Sequence, residues 1–369
     1  MSDVYDRLAQ RLDRLTNGYP RTKSGVELKI LRKIFSEEDA ERALKLRPYP
    51  ETAPKLAKRF GMSVEDTRAM LDEMASKGQI GSFAQSSGEQ GYMLAPFVIG
   101  FWEFQVDHLD RELSDLFDEY YPELVKRVGG HKPTLARVVP QNASIDAELQ
   151  VLNYEDMREL IATSKAFQLM ECICRKKKDI QGTRECSHST ENCLIFFRNE
   201  GALDYFHFAG RVISREEALE VFEQTERDGL VHCTYNTRSN QVWVCNCCPC
   251  CCDLLIGLNE HKAPHLLARS DFIARLDQDT CSECGICADE RCPTDAIYHM
   301  DDGYVVKSER CIGCGVCVPS CPTDSLKLER RPKKEQEIPS SSLETWYLKR
   351  GLYRVGAAIK DFVVHVDPK

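Results

Sequence analysis

The N-terminal third of the chain has helical periodicity. Ser36-Glu37-Glu38-Asp39 is a capping-box-like start, and Ala40, Ala43, Leu44 and Leu46 follow until Pro48 stops the helix. A second helix is predicted over residues 52–60, with Pro54 in its first turn. A third is predicted over 64–77, capped by Ser63 and ended by Gly78. Residues 79–84 and 91–94 read as short extended pieces joined by a polar tip at 85–90. Residues 96–125 carry Phe97, Phe101, Phe104, Leu109, Leu113, Leu116 and Phe117 and are predicted as one connecting helix. Beyond them the periods alternate. A strand is predicted over 135–139, a helix over 155–165 and a strand over 167–174. A helix then runs from Ser214, with Glu217 completing a capping box, to Gly229, and a hairpin pairs 230–235 with 241–244. After a polar linker at 331–342, Leu348, Leu352, Val355, Ile359 and Phe362 form a single apolar stripe on a terminal helix.

With 369 residues, the expected architecture is α+β and multidomain: 1–95 helical and winged-helix-like, 96–130 a connecting helix, 131–270 a mixed α/β Cys-rich domain, 271–330 a metal-binding repeat, and 331–369 a linker and amphipathic helix. Helix, turn, helix and polar-tipped hairpin resemble a winged helix, and that resemblance implies DNA reading. Charge opposes it. The third helix sets Glu65, Asp66, Asp72 and Glu73 against Arg68 and Lys77, and the whole chain has 58 acids against 49 Lys and Arg, a net charge of −9. Packing or docking is the expected role of this part, not DNA binding.

The 19 cysteines change the picture most. No stretch approaches the roughly 18 apolar residues of a spanning helix. The N-terminus carries acids where a signal peptide wants bases. The expected compartment is therefore the cytoplasm, where thiols stay reduced and metal explains cysteines better than disulfides do. All 19 lie between Cys172 and Cys321, eleven of them up to Cys252 and eight from Cys281 onward. The first group runs Cys172-x-Cys174-Arg175, Cys186, Cys193, Cys233 and Cys245-Asn246-Cys247-Cys248-Pro249-Cys250-Cys251-Cys252. On a strand, Cys172 and Cys174 point the same way, and Cys186 and Cys193 are expected on the following polar loop. These four suit one cluster or a tetrahedral zinc, with iron–sulfur preferred. Cys245, Cys247, Cys248 and Cys250 are candidates for another site, with the adjacent thiols left structural or functional. His188 and His232 are weaker ligand candidates.

The second group is an internal repeat. Cys281-x-x-Cys284-x-x-Cys287 leads through four residues to Cys292-Pro293-Thr294-Asp295, and Cys311-x-x-Cys314-x-x-Cys317 leads through three to Cys321-Pro322-Thr323-Asp324. It resembles the bacterial-type dicluster ferredoxin fold over about 50 residues. That resemblance implies two [4Fe–4S] clusters, one on Cys281, Cys284, Cys287 and Cys321, the other on Cys311, Cys314, Cys317 and Cys292. The four-residue gap before Cys292, where three is usual, is a departure. The module is acidic, with twelve acids against six bases over 271–330, while 331–369 has eight bases against five acids. The terminal helix is thus a candidate for packing or for docking a partner.

The whole chain is also similar to 4Fe–4S binding proteins of anaerobes that pair an upstream Cys-x-Cys…Cys-Asn-Cys-Cys region with a C-terminal dicluster ferredoxin, which names no substrate. Electron transfer, alone or as a subunit of a larger anaerobic redox complex, is the leading expectation, through the two clusters to at least one further Cys-ligated centre. An oxidoreductase acting at the central cysteines is the alternative, and a winged-helix redox-sensing regulator the third. No Gly-rich dinucleotide fingerprint or phosphate loop is present.

Overall fold

The computed structural model describes residues 3–85, 87–145, 152–206 and 210–366, with side chains described up to Arg354. The N-terminal unit contains α1 (Val4–Asp13), α2 (Val26–Ile34), α3 (Glu37–Leu44), α4 (Ala53–Phe60) and α5 (Val64–Ser76). A small sheet pairs β1 (Glu51–Thr52) and β2 (Gly81–Ala84) on either side of β3 (Gln90–Met93). Capping fixes the starts: Ser36 accepts from the Asp39 N–H and Ser63 from the Asp66 N–H, leaving Gly78 in the left-handed region after α5. Two helices, α1 and α2, precede the start read from Ser36.

The connecting segment differs from the single helix expected over 96–125. Val98, Ile99 and Gly100 have non-helical dihedrals, and a continuous helix, α6 (Arg111–Gly129), begins only where Asp110 accepts from the Leu113 N–H. A flexible glycine and a strong N-cap override the apolar periodicity. The phenylalanines pack all the same, with Trp102 stacked on Phe117 at 3.9 Å between ring centroids.

The central unit is a seven-stranded sheet in the order β10-β4-β8-β9-β6-β5-β7, built from β4 (Ala136–Val139), β5 (Ala166–Glu171), β6 (Glu191–Phe197), β7 (Arg211–Ile213), β8 (Val231–Tyr235), β9 (Trp243–Cys247) and β10 (Leu267–Ala268). Only the β10–β4 pair is parallel. Its helices are α7 (Met157–Ala162), α8 (Ile173–Gln181), α9 (Arg215–Arg227) and α10 (Asp253–Asn259). Three boundaries differ from those expected, the first being the helix predicted over 155–165, which is confined to Met157–Ala162. The strand expected to reach residue 174 stops at Glu171, and Cys172 instead becomes the residue that starts α8. The second hairpin strand runs on through Cys247, pairing Cys245 with Cys233.

The C-terminal unit pairs β11 (Phe272–Leu276) with β14 (Leu326–Arg330) and β12 (Ile297–Met300) with β13 (Gly303–Val306). The chain then returns in α11 (Leu343–Val366). Trp346 is fully buried and its Nε1–H donates to the Thr134 carbonyl at 2.9 Å, while buried Arg350 donates to Asn17 Oδ1 at 3.0 Å and to the His131 carbonyl at 2.8 Å. Leu348 and Leu352, on the expected apolar stripe, are 63% and 61% exposed. The side chains of Val355, Ile359 and Phe362 lie outside the described residues. One apolar core runs from Leu8 and Tyr19 through Val138 and Trp243 to Ile312 and Trp346, crossing every expected boundary. No helix among the described residues is long and apolar enough to cross a membrane.

Candidate functional site

The two Cys-x-x-Cys-x-x-Cys loops share one backbone path. Glu283 and Gly285 in the first, and Gly313 and Gly315 in the second, all lie in the left-handed region, as do Asp295 and Asp324 after the two Cys-Pro-Thr segments. The position before the second cysteine of each run tolerates glutamate in the outer loop. In the inner loop it is Gly313, where a Cβ would collide with the Phe272 carbonyl. Each loop closes over a cavity. One cavity is lined by Cys281, Cys284, Cys287 and Cys321 with Tyr304 and Leu326, the other by Cys292, Cys311, Cys314 and Cys317 with Ile297 and Leu328. The fourth cysteine of each run therefore meets the other run's three. The donor sets fit [4Fe–4S] groups: four sulfurs around an apolar cavity, with backbone N–H groups aimed at sulfur. Ala296 N–H donates to Cys292 Sγ at 3.1 Å and Glu283 N–H to Cys281 Sγ at 3.4 Å. Burial opposes ionisation of Cys321, yet the N–H groups of Thr323, Ser325 and Leu326, with the Thr323 hydroxyl, hold it below the usual thiol range.

The two cavities differ in exposure. Cys284 is exposed, whereas Cys311, Cys314 and Cys317 are buried against the central unit. Gln141 N–H donates to the Cys314 carbonyl at 2.9 Å, Ser144 Oγ–H to the Gly315 carbonyl at 2.7 Å, and buried Arg331 to the Cys311 carbonyl at 2.6 Å.

The eleven central cysteines separate into two groups, and the grouping differs from the one expected. Cys193 lies on β6, not on the loop, and its sulfur meets Cys245 at 3.9 Å. From there a series of neighbouring sulfurs runs through Cys247 to Cys233 and Cys252, and on to Cys174 and Cys172. Strand alternation puts Cys193, Cys233, Cys245 and Cys247 on one sheet face, while Cys172 and Cys252 are the residues that open α8 and α10. The remaining four, Cys186, Cys248, Cys250 and Cys251, have sulfurs all within 4.8 Å of one another. Sequence spacing alone places Cys186 with Cys172 and Cys174 and leaves Cys233, Cys251 and Cys252 unassigned.

Two buried cations stand beside these sulfurs. Arg175 donates to the carbonyls of Asn246 at 2.9 Å and Ser189 at 3.2 Å and lies against Cys248. A hydrogen bond from Cys251 and the Arg175 charge hold Cys248 well below the usual thiol range. Lys177 is held between Asp118 at 2.6 Å and Asp253 at 2.9 Å, and Asp253 accepts from Cys174 Sγ at 3.4 Å. Buried cations are costly unless anions surround them, and metal-bound thiolates would be such anions. The Arg175 next to Cys174 was the available signal in the sequence. Lys177 and Asp253, which belong to no cysteine motif, carried none. Neither His188 nor His232 joins a sulfur group: the His232 ring bonds Asn246 Oδ1 at 2.6 Å, and burial pushes it down to about 4.

Residues 304–327, which contain the second cysteine run, match the family described as 4Fe-4S binding domain. The chain is 43% identical over 53 residues to a ferredoxin of Rickettsia felis, covering 14% of this chain and 48% of that protein. It is 34% identical over 95 residues to a probable iron-sulfur subunit of the Frd operon of Proteus vulgaris, covering 25% and 60%. It is 30% identical over 110 residues to the putative oxidoreductase AegA of Escherichia coli K12, covering 28% and 17%. The chain thus spans between 17% and 60% of the length of these relatives. No solved structure matches it. The C-terminal cysteine repeat is a ferredoxin-type 4Fe–4S domain.

Proposed function

We propose that the protein relays single electrons through two ferredoxin-type [4Fe–4S] clusters to or from a further iron–sulfur centre in the central unit. Cys281, Cys284, Cys287 and Cys321 are assigned to the outer cluster, and Cys311, Cys314, Cys317 and Cys292 to the inner one. The further centre draws its ligands from Cys172, Cys174, Cys193, Cys233, Cys245, Cys247 and Cys252. When bound, each cluster stores and releases one electron. The observation that carries this reading is that Cys314 packs in the same continuous core as Cys233, Cys247 and Cys252. The exposed Cys284 edge is then the port for a redox partner, and the uncovered Leu348 and Leu352 of α11 are a docking edge for a larger redox complex.

Anaerobic iron and sulfide analysis with reduced-state EPR tests it. More than about eight irons per chain are expected, and Cys321→Ser should lose about four while keeping the inner signals. Four irons or fewer in fully loaded protein would refute the multi-cluster relay. The alternative, substrate chemistry in the central unit, is favoured by the surplus of seven inner thiols over the four that one cubane takes. Loss of substrate turnover in Cys247→Ser with all cluster signals intact would select it. The N-terminal unit is proposed as a winged-helix-like docking module. Glu65, Asp66 and Glu73 are exposed on α5, which suits protein contact and repels phosphate.

A further inference from the structure

The Cys186, Cys248, Cys250 and Cys251 quartet is independent of the electron relay, and its geometry points to a different kind of site: we infer that these four thiolates bind a single divalent ion of the zinc or iron(II) class, not a cluster. The argument is one of spacing. A single ion with metal–sulfur bonds of about 2.3 Å in a tetrahedron sets its sulfurs about 3.8 Å apart. A cubane pushes its four thiolates to roughly 6 Å, because each caps a different iron. Here Cys186 Sγ stands 3.8 Å from both Cys248 and Cys251, Cys248 is 3.5 Å from Cys250, and Cys250 is 3.3 Å from Cys251. The same structure supplies the contrast. Among the described residues no other three His, Cys, Asp or Glu groups converge within 4.8 Å, the two ferredoxin sets and the seven inner thiols included.

The surroundings agree with an anionic tetrathiolate. Four thiolates around a divalent ion carry a formal charge of −2, and two guanidinium groups face them, Arg175 at Cys248 and Arg184 at Cys186. Arg184 also bonds Asp179 at 2.6 Å and the His188 carbonyl, so its position is set by the loop that carries Cys186. The quartet forms its own small cluster with Leu230, apart from the core that holds the inner thiols. The ion would tie the irregular 182–190 loop to the Cys248–Cys251 turn and cover the Arg175 side of the sheet.

The test counts metals in the full chain, purified anaerobically and fully loaded with iron and sulfide. About one zinc, or one mononuclear high-spin iron, is expected beyond the cluster iron. Cys186→Ser and Cys251→Ser should each lower that ion at least tenfold while leaving the reduced-cluster EPR of the ferredoxin repeat unchanged. Cobalt(II) supplied to the wild-type protein gives a readout independent of any variant: the spectrum of a tetrahedral tetrathiolate is expected. Loss of about four irons in Cys251→Ser would make the quartet a cubane and overturn the inference. So would an octahedral cobalt spectrum, metal content unchanged in both variants, or Cys250 and Cys251 recovered as a disulfide.

Discussion

Alanine at Gly315, set against alanine at its repeat counterpart Gly285, isolates the joint between the ferredoxin repeat and the central unit. Both glycines have left-handed backbone, φ +81° and +80°, so both substitutions carry about the same 1–2 kcal/mol conformational penalty. Their surroundings differ. A Cβ at Gly285 would come within 2.8 Å of Asp289 Oδ2 and 2.9 Å of the Tyr304 hydroxyl, the free ends of side chains that can swing away. At Gly315 it would stand 2.7 Å from the Cβ of buried Ser144, next to the backbone of the central unit, and 3.1 Å from Leu328. That overpacking adds about 1–3 kcal/mol and works against the Ser144–Gly315 hydrogen bond. Gly315→Ala should therefore cost about 2–5 kcal/mol in all, from the sum of these two effects. Guanidinium titration of the anaerobic, iron-loaded protein at equal metal content, followed by cluster absorbance, measures the difference. Freeze-quench EPR of the inner centre after reduction should show slower filling in Gly315→Ala alone. Equal costs and equal filling rates in the two variants would refute the rigid joint and the electron route through it.

Lys177→Met should destabilise the protein by about 3–5 kcal/mol, because it leaves Asp118 and Asp253 facing one another with no cation between them; denaturant midpoints at equal metal load check this. Trp346→Ala should cost about 3–5 kcal/mol by the same measurement, since it empties a fully buried site and removes the donor to Thr134. His131 supplies a pH dependence. Burial first, then the charges of Arg350, Arg354 and Arg127, lower its pKa from 6.5 to about 4, so the unfolded chain binds more protons between those values. Its contribution is complete above pH 6.5 and is lost as pH falls, by about 1.4 kcal/mol at about pH 5.5, and His131→Asn should flatten that slope.

The ferredoxin repeat was legible because its ligands are local in sequence: seven-residue cysteine loops and Pro-Thr-Asp steps recur, and the same left-handed positions recur in the structure. Capped helices such as α3, α5 and α9 were legible for the same reason, since Ser36, Ser63 and Ser214 each act within three residues. The central sulfur groups were not. Cys186 reaches Cys248 and Cys251 across more than 60 residues, and Cys193 reaches Cys245 across 52, so pairing depends on strand order that no local spacing encodes. Cys172 and Cys174 do fall side by side, but not by the route expected. Alternation on a strand would put both sulfurs on one face, but the strand ends at Glu171 and the two sulfurs are carried instead by the first turn of α8. Within 96–110 the apolar pattern marked the buried Phe97, Phe101 and Leu109 but passed over the equally buried Trp102 and Val106, while Gly100 and Asp110 decided the backbone.

The return of α11 also dates the closure of the fold. Arg350 bonds Asn17 across 333 residues and Trp346 bonds Thr134 across 212. At translation speeds of about 5–20 residues per second, Arg350 leaves the ribosome roughly 20–70 s after Asn17. Every cysteine has by then been made. The Thr134 side of the core therefore stays unlatched until after the last cysteine is made, so all the metal-binding segments precede the final pin in the order of synthesis.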